Sequence, residues 1–128
     1  MKWQYVSQLK DNKVFSKIEK KYRIKFPKDV IDFVKKYNAG SQEKYHIIIC
    51  KVERVVGAIL SYNEFEEDVD SAFIALDILK GKNLLPFAID PFGNYFCYKL
   101  GKVVYWKHEE NTVDYTTMNL QTFLDSLY

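Results

Sequence analysis

Leu84-Leu85-Pro86-Phe87-Ala88-Ile89-Asp90-Pro91-Phe92-Gly93-Asn94-Tyr95-Phe96-Cys97-Tyr98-Lys99-Leu100-Gly101-Lys102-Val103-Val104-Tyr105-Trp106-Lys107-His108 reads as three strands joined by two turns. Residues 84–89 form a short apolar strand, and Asp90-Pro91-Phe92-Gly93-Asn94 carries turn chemistry, with Gly93 at a position suited to positive φ. Residues 95–100 resume a strand that Gly101-Lys102 turns back. A two-residue loop with glycine first predicts a type II′ hairpin pairing Leu100 with Val103, Tyr98 with Tyr105 and Phe96 with Lys107. Lys99 and Val104, Cys97 and Trp106, and Tyr95 and His108 then share the opposite face. Neither face is polar enough to stand open to water, so protein covers both or a partner covers one.

Outward from this hairpin the pattern becomes helical. Asp11 and Asn12 can cap a first helix with Val14, Phe15, Ile18 and Tyr22 on its apolar side and Lys13, Lys17, Lys20 and Lys21 on its basic side. Pro27 holds Phe26 out of the helical region and suits the first turn of a second helix. There Val30, Phe33, Val34 and Tyr37 repeat at helical spacing, and Asn38-Ala39-Gly40 ends it. Residues 46–50 are β-branched and uninterrupted, which predicts a central strand covered on both faces. Residues 55–60 read as a strand or a bend, with Gly57 marking a bulge or a close approach. Glu64, Glu66, Glu67, Asp68 and Asp70 precede Val69, Ala72, Phe73, Leu76 and Leu79, predicting a third helix with an acidic start and Gly81 as its stop. Residues 119–127 close the chain as a short helix. The fold class expected is α+β: a single domain over residues 1–128, mostly antiparallel β-sheet flanked by helices.

Composition narrows the function. The chain has 128 residues, 48% of them hydrophobic, with 10 Tyr, 9 Phe and 2 Trp but only 5 Gly and 3 Pro. That suffices for a core and excludes disorder. No repeat or linker interrupts it. The formal charge of +2 is too balanced for a binder that relies on phosphate neutralisation. The distribution is uneven: residues 1–36 carry 11 Lys and Arg against 4 Asp and Glu, residues 37–128 carry 8 against 13. The two halves are expected to attract each other or different partners. The N-terminal residues lack an apolar signal core and no window suits a membrane span, so a cytoplasmic location is expected. Cys50 and Cys97 lie in apolar segments and are expected to be free, buried thiols.

Catalytic patterns are weak. No glycine-rich phosphate loop is present. His46 and Cys50, four residues apart on one strand, would share a face, but no nearby charge activates the thiol. His46, Cys50, Cys97 and His108 match no common zinc spacing, so neither metal nor cofactor is expected. The carboxylates of 64–70 lie on one polar run, unlike an acid/base pair with contrasting environments. Lysines from Lys10 to Lys28 interleave with Phe15, Tyr22 and Phe26, yet those aromatics share the apolar helix face. A nucleic-acid surface is therefore not the favoured reading.

Three segments resemble the SUKH superfamily, which contains the Smi/Knr cell-wall-assembly regulators and many bacterial immunity proteins. Ile18-Glu19, then Phe26-Pro27 opening a helix that ends Tyr37-Asn38-Ala39-Gly40, is similar to the family's I-E, L-P and N-G pattern, with Phe for Leu and Ala-Gly for Gly. Leu84-Leu85-Pro86-Phe87-Ala88-Ile89-Asp90 with Gly93-Asn94 resembles its L-I-P-F-A-x-D and G-N signature. Val103-Val104-Tyr105-Trp106-Lys107-His108-Glu109 and Phe123-Leu124 resemble its V-x-x-W-x-H-E strand and closing helix. Glu19, Pro27, Gly40, Pro86, Asp90, Gly93, Asn94 and His108 are expected to serve the fold rather than a reaction.

The resemblance implies an α+β domain that acts by binding, commonly an immunity protein that neutralises a cognate toxin, often a nuclease. An inhibitor of a basic nucleic-acid cleft benefits from opposite charge. Glu64, Glu66, Glu67, Asp68 and Asp70 are the candidate patch, with Tyr62 and Phe65 as anchors. Tyr95, Tyr98, Tyr105 and Trp106 of the hairpin form a second candidate. The alternatives are a regulatory or scaffold module binding a cellular protein or RNA, and a small thiol or metal enzyme.

Overall fold

A computed structural model describes all 128 residues. Its framework is a five-stranded antiparallel sheet in sequential order, β5 (Ala58–Ile59), β6 (Leu85–Ile89), β7 (Tyr95–Lys99), β8 (Lys102–Lys107) and β9 (Thr112–Tyr115). Two two-stranded ribbons accompany it: β1 (Trp3–Gln4) with β2 (Ser41–Gln42), and β3 (His46–Ile49) with β4 (Val52–Val55). The helices are α1 (Val14–Tyr22), α2 (Lys28–Tyr37), α3 (Ala72–Ile78) and α4 (Leu120–Asp125). This is the α+β class expected from the sequence.

Helix positions follow local chemistry. Asp11 accepts the Lys13 N–H at 2.9 Å just ahead of α1, and Arg23 ends that helix with a left-handed φ of 55°. Pro27 sits extended immediately before α2, where its missing N–H costs nothing. Ser71 caps α3 and Asn119 caps α4 through side-chain oxygens that accept N–H groups of the first turn. α4 packs on β8 and α2. Their shared core is aromatic: Phe123 lies 5.2 Å from Phe87 and 5.6 Å from Phe96, and Phe33 lies 5.3 Å from Phe87, ring centre to ring centre. Such edge-on and tilted pairs suit the ring quadrupoles.

Four expectations need correction. First, residues 46–49 are not a central strand; β3 belongs to a ribbon, with Ile47 and Ile49 buried but Ile48 half exposed. An unbroken β-branched run does not by itself reveal how many neighbours the strand has. Second, the acidic residues do not begin a helix. Ser71 takes the capping position, and residues 64–70 form a loop in which Phe65 (φ 63°) and Asp68 (φ 59°) are left-handed. Third, Cys50 is exposed at the β3–β4 turn, donating its thiol proton to the Tyr115 carbonyl, while Cys97 is buried. Burial pushes the Cys97 thiol pKa far up.

The fourth concerns the hairpin. Lys99 pairs with Lys102 and Tyr98 with Val103, so the loop is Leu100-Gly101, one residue earlier than predicted. Both loop residues have positive φ, 49° and 85°, the signature of a type I′ turn. The pairing therefore shifts by two positions. Because side chains alternate with period two, each residue keeps its predicted face.

Leucine is a poor choice for a left-handed turn position, where Asn or Gly is favoured. Leu100→Asn is expected to raise stability by about 1 kcal/mol, read as a higher urea midpoint with unchanged slope. Gly57, left open as bulge or close approach, is a close approach: its N–H donates to the Ile89 carbonyl at 2.8 Å, and an added Cβ would meet that oxygen at 3.1 Å.

Candidate functional site

The hairpin aromatics are core. Tyr95, Tyr98, Tyr105 and Trp106 are 4%, 7%, 0% and 5% exposed, because protein covers both faces of β7 and β8. They offer a partner no surface, which removes the second candidate. Tyr62 is also no anchor: it is 1% exposed, its ring packs on Phe15 and Phe26, and its hydroxyl donates to the Pro86 carbonyl at 2.6 Å. Burial raises its phenol pKa far beyond the usual range.

What the loop does display is Phe65, 93% exposed, the most exposed large hydrophobic side chain in the protein. It stands on left-handed backbone, where a bulky residue is strained. Glu64, Glu67, Asp68 and Asp70 of the same loop are also exposed.

Glu66 faces inward instead. Its carboxylate accepts hydrogen bonds from Ser7 Oγ at 2.9 Å, Ser61 Oγ at 3.0 Å and Asn63 Nδ2 at 3.2 Å, and Lys10 Nζ lies 3.6 Å away. Asn63, itself buried, accepts the Lys10 N–H at 2.8 Å and donates to the Gln8 carbonyl. The loop is thus fastened to the N-terminal segment at its base, and Glu64, Glu67, Asp68 and Asp70 beyond the fastening form no ion pair.

Burial pushes the Glu66 pKa up, but the hydrogen bonds from Ser7, Ser61 and Asn63 and the charge of Lys10 outweigh it, so the net shift is below 4.5. A carboxyl depressed in the folded state stabilises fully above its unfolded value and loses that contribution as pH falls through its folded value. Between neutral pH and about 4.5 the Glu66 contribution is expected to hold; below 4.5 it fades. Denaturation profiles on Glu66→Gln should show a shallower loss of stability on acidification than the wild type.

Behind the loop runs a groove of about 370 Å³ between the 62–65 segment and α1, whose walls include Lys17, Lys21, Tyr22, Glu64, Phe65 and Phe73. Its electrostatics are partly settled within the molecule. Lys17 pairs with Asp11 at 2.7 Å, and the Tyr22 hydroxyl donates to Asp77 in a short hydrogen bond. Lys10 facing Glu66 is one place where the basic N-terminal stretch meets the acidic remainder.

No three His, Cys, Asp or Glu side chains are grouped so that they could hold a metal ion. No helix is long and apolar enough to cross a membrane.

The profile of the SMI1 / KNR4 family (SUKH-1) matches residues 11–126. The chain belongs to that family. No curated protein and no solved structure matches it.

In this SUKH-1 protein the motif residues have visible structural work. Glu19 accepts the Phe26 N–H at 2.8 Å, closing the α1–α2 link. A Cβ on Gly40 would meet the Tyr37 carbonyl and Val6 at 2.9 Å. Pro86 lies buried in β6, where its carbonyl receives the Tyr62 hydroxyl. Asp90, 4% exposed, accepts from the Phe92 and Asn94 N–H groups, from Asn94 Nδ2 and, in a short bond, from the Tyr105 hydroxyl. Gly93 has the positive φ expected, 86°. Asn94 Oδ1 accepts the His108 N–H at 3.0 Å, and the His108 ring reaches the Phe92 carbonyl. These residues lock the β6–β7 turn onto the end of β8, and Pro27 sets the start of α2. Sequence reasoning did not anticipate how Ser7, Ser61 and Asn63 act on the loop; their signal was only their residue type.

Proposed function

We propose that this SUKH-1 protein is a non-enzymatic binding protein, an immunity protein that sequesters and neutralises a cognate toxin with a basic surface. The observation that carries the reading is Phe65, an aromatic side chain held out on strained backbone, in a loop that also exposes four carboxylates and whose base is fastened by Glu66 and Asn63. An exposed aromatic within a charged rim is the arrangement in which a few anchors carry most of an interface's energy, while the rim steers encounter. Strain at an exposed residue is retained where it serves recognition rather than packing.

A toxin that cleaves nucleic acid needs a basic cleft, which the Glu64–Asp70 loop complements. Glu67, Asp68 and Asp70 are the steering charges, since Glu66 is held within the fold. Charge reversal at these three positions is expected to slow association with the toxin about tenfold or more at low salt and to flatten the salt dependence of the rate. Stopped-flow association at several ionic strengths measures both. Rates unchanged in both respects would remove the loop from the interface.

A further inference from the structure

We propose that the groove on the other flank of α1 is a second docking surface, one that takes an acidic polypeptide segment bearing an apolar side chain from a partner protein. This goes beyond the toxin-binding reading and does not rest on it. The groove shares no lining residue with the one behind Phe65, and its lining sets four cations against one carboxylate where the other sets three against two.

The groove encloses about 1010 Å³ between the C-terminal part of α1 with the link to α2 on one side, and the start of β6 with the β7–β8 turn on the other. That is the upper limit of small-molecule sites. Lys20, Arg23, Lys25 and Lys99 line it, and none of them forms an ion pair. The one carboxylate in the lining, Glu19, is engaged by the Phe26 N–H. Four uncompensated cations around one concavity call for an anionic occupant.

The apolar requirement comes from Leu100. It is 88% exposed at the lip of the groove and holds a left-handed φ of 49° in a turn where Asn or Gly would be unstrained. Ile24 and Leu85 extend the apolar surface inward.

A polypeptide fits this surface better than a nucleic acid. Single strands are held by stacking bases on exposed aromatic faces, and the two aromatic residues in the lining, Phe26 and Tyr98, are 6% and 7% exposed, with the Tyr98 hydroxyl donated to Asp29.

The test is an NMR titration of the ¹⁵N-labelled full chain at low salt with three probes: a peptide of alternating Glu and Leu, its Lys/Leu counterpart, and a thymidine oligonucleotide of the same length. The Glu/Leu peptide is expected to shift the amides of residues 23–25 and 99–101 and to leave those of 64–70 in place. Lys20→Glu with Lys25→Glu, both at exposed positions, should weaken it about tenfold or more. Leu100→Asn should weaken it several-fold while raising the melting temperature, which separates lost recognition from lost folding. Shifts scattered over Lys28, Lys35 and Lys36, or equal affinity in the double-charge variant, would overturn the proposal. So would tighter binding of the oligonucleotide in the groove, or sedimentation showing that a second copy of the chain already fills it.

Discussion

Asp90→Ala is expected to destabilise the protein by about 3–4 kcal/mol, the loss that follows when a buried charged hub is removed and its partners are left behind. Asp90 receives two backbone N–H groups, the Asn94 amide and the Tyr105 hydroxyl, and it is 4% exposed. Alanine returns no acceptor to any of these donors. Tyr105, fully buried, keeps only the Asn94 amide and the Arg54 guanidinium over its ring at 4.8 Å. The phenol's pKa is already raised, first by burial and then by its bond to Asp90. For a chain of this size the loss corresponds to a melting temperature lower by about 10 °C or more. Asp90→Asn keeps the shape and one acceptor and should fall between the two. A loss under about 1 kcal/mol in urea titration would mean that the turn holds without the network.

Phe65→Ala should do the reverse: leave stability within about 0.5 kcal/mol of the wild type and weaken toxin binding by about 2 kcal/mol or more, roughly 30-fold. Nothing in the core depends on a side chain that is 93% exposed. Alanine also relieves little of the left-handed strain, since it keeps a Cβ. The binding loss should appear mainly in the dissociation rate, because an anchor acts after encounter. The steering carboxylates act before it. The two kinds of variant therefore separate kinetically, and a loop serving merely as a tether between Tyr62 and α3 would show neither effect.

The parts legible in the sequence were those in which local chemistry and burial agree. Pro27 before α2, the Asn38-Ala39-Gly40 ending, Gly93 at positive φ and the alternation along β7 and β8 each follow from one residue's geometry or from period two. The β7–β8 loop was misplaced because Gly101 suits two turn types, and only the pairing decides that Leu100 joins it at positive φ. His46–Ile49 was misread because β-branching reports strand propensity, whereas coverage depends on neighbours supplied by distant sequence.

For the candidate site, the sequence singled out the acidic segment but did not show which of its side chains turn inward and which outward. Tyr62 and Glu66 turn inward on account of Pro86, Ser61 and Ser7, none of which is marked as a partner by spacing. Phe65 turns outward because of a backbone conformation that its residue type disfavours. The hairpin aromatics fell to the core because α4 packs on β8 and Asp29 of α2 takes the Tyr98 hydroxyl, contacts that composition alone left open.

The most direct measurement is quantitative co-purification from native cells with tagged wild type, Phe65→Ala and Glu67→Lys/Asp68→Lys, followed by an assay of the captured protein for toxic activity and its inhibition. The account predicts a stoichiometric, basic toxin held and inhibited by the wild type and largely lost from both variants, which remain folded. Equal recovery and equal inhibition with all three proteins would contradict it.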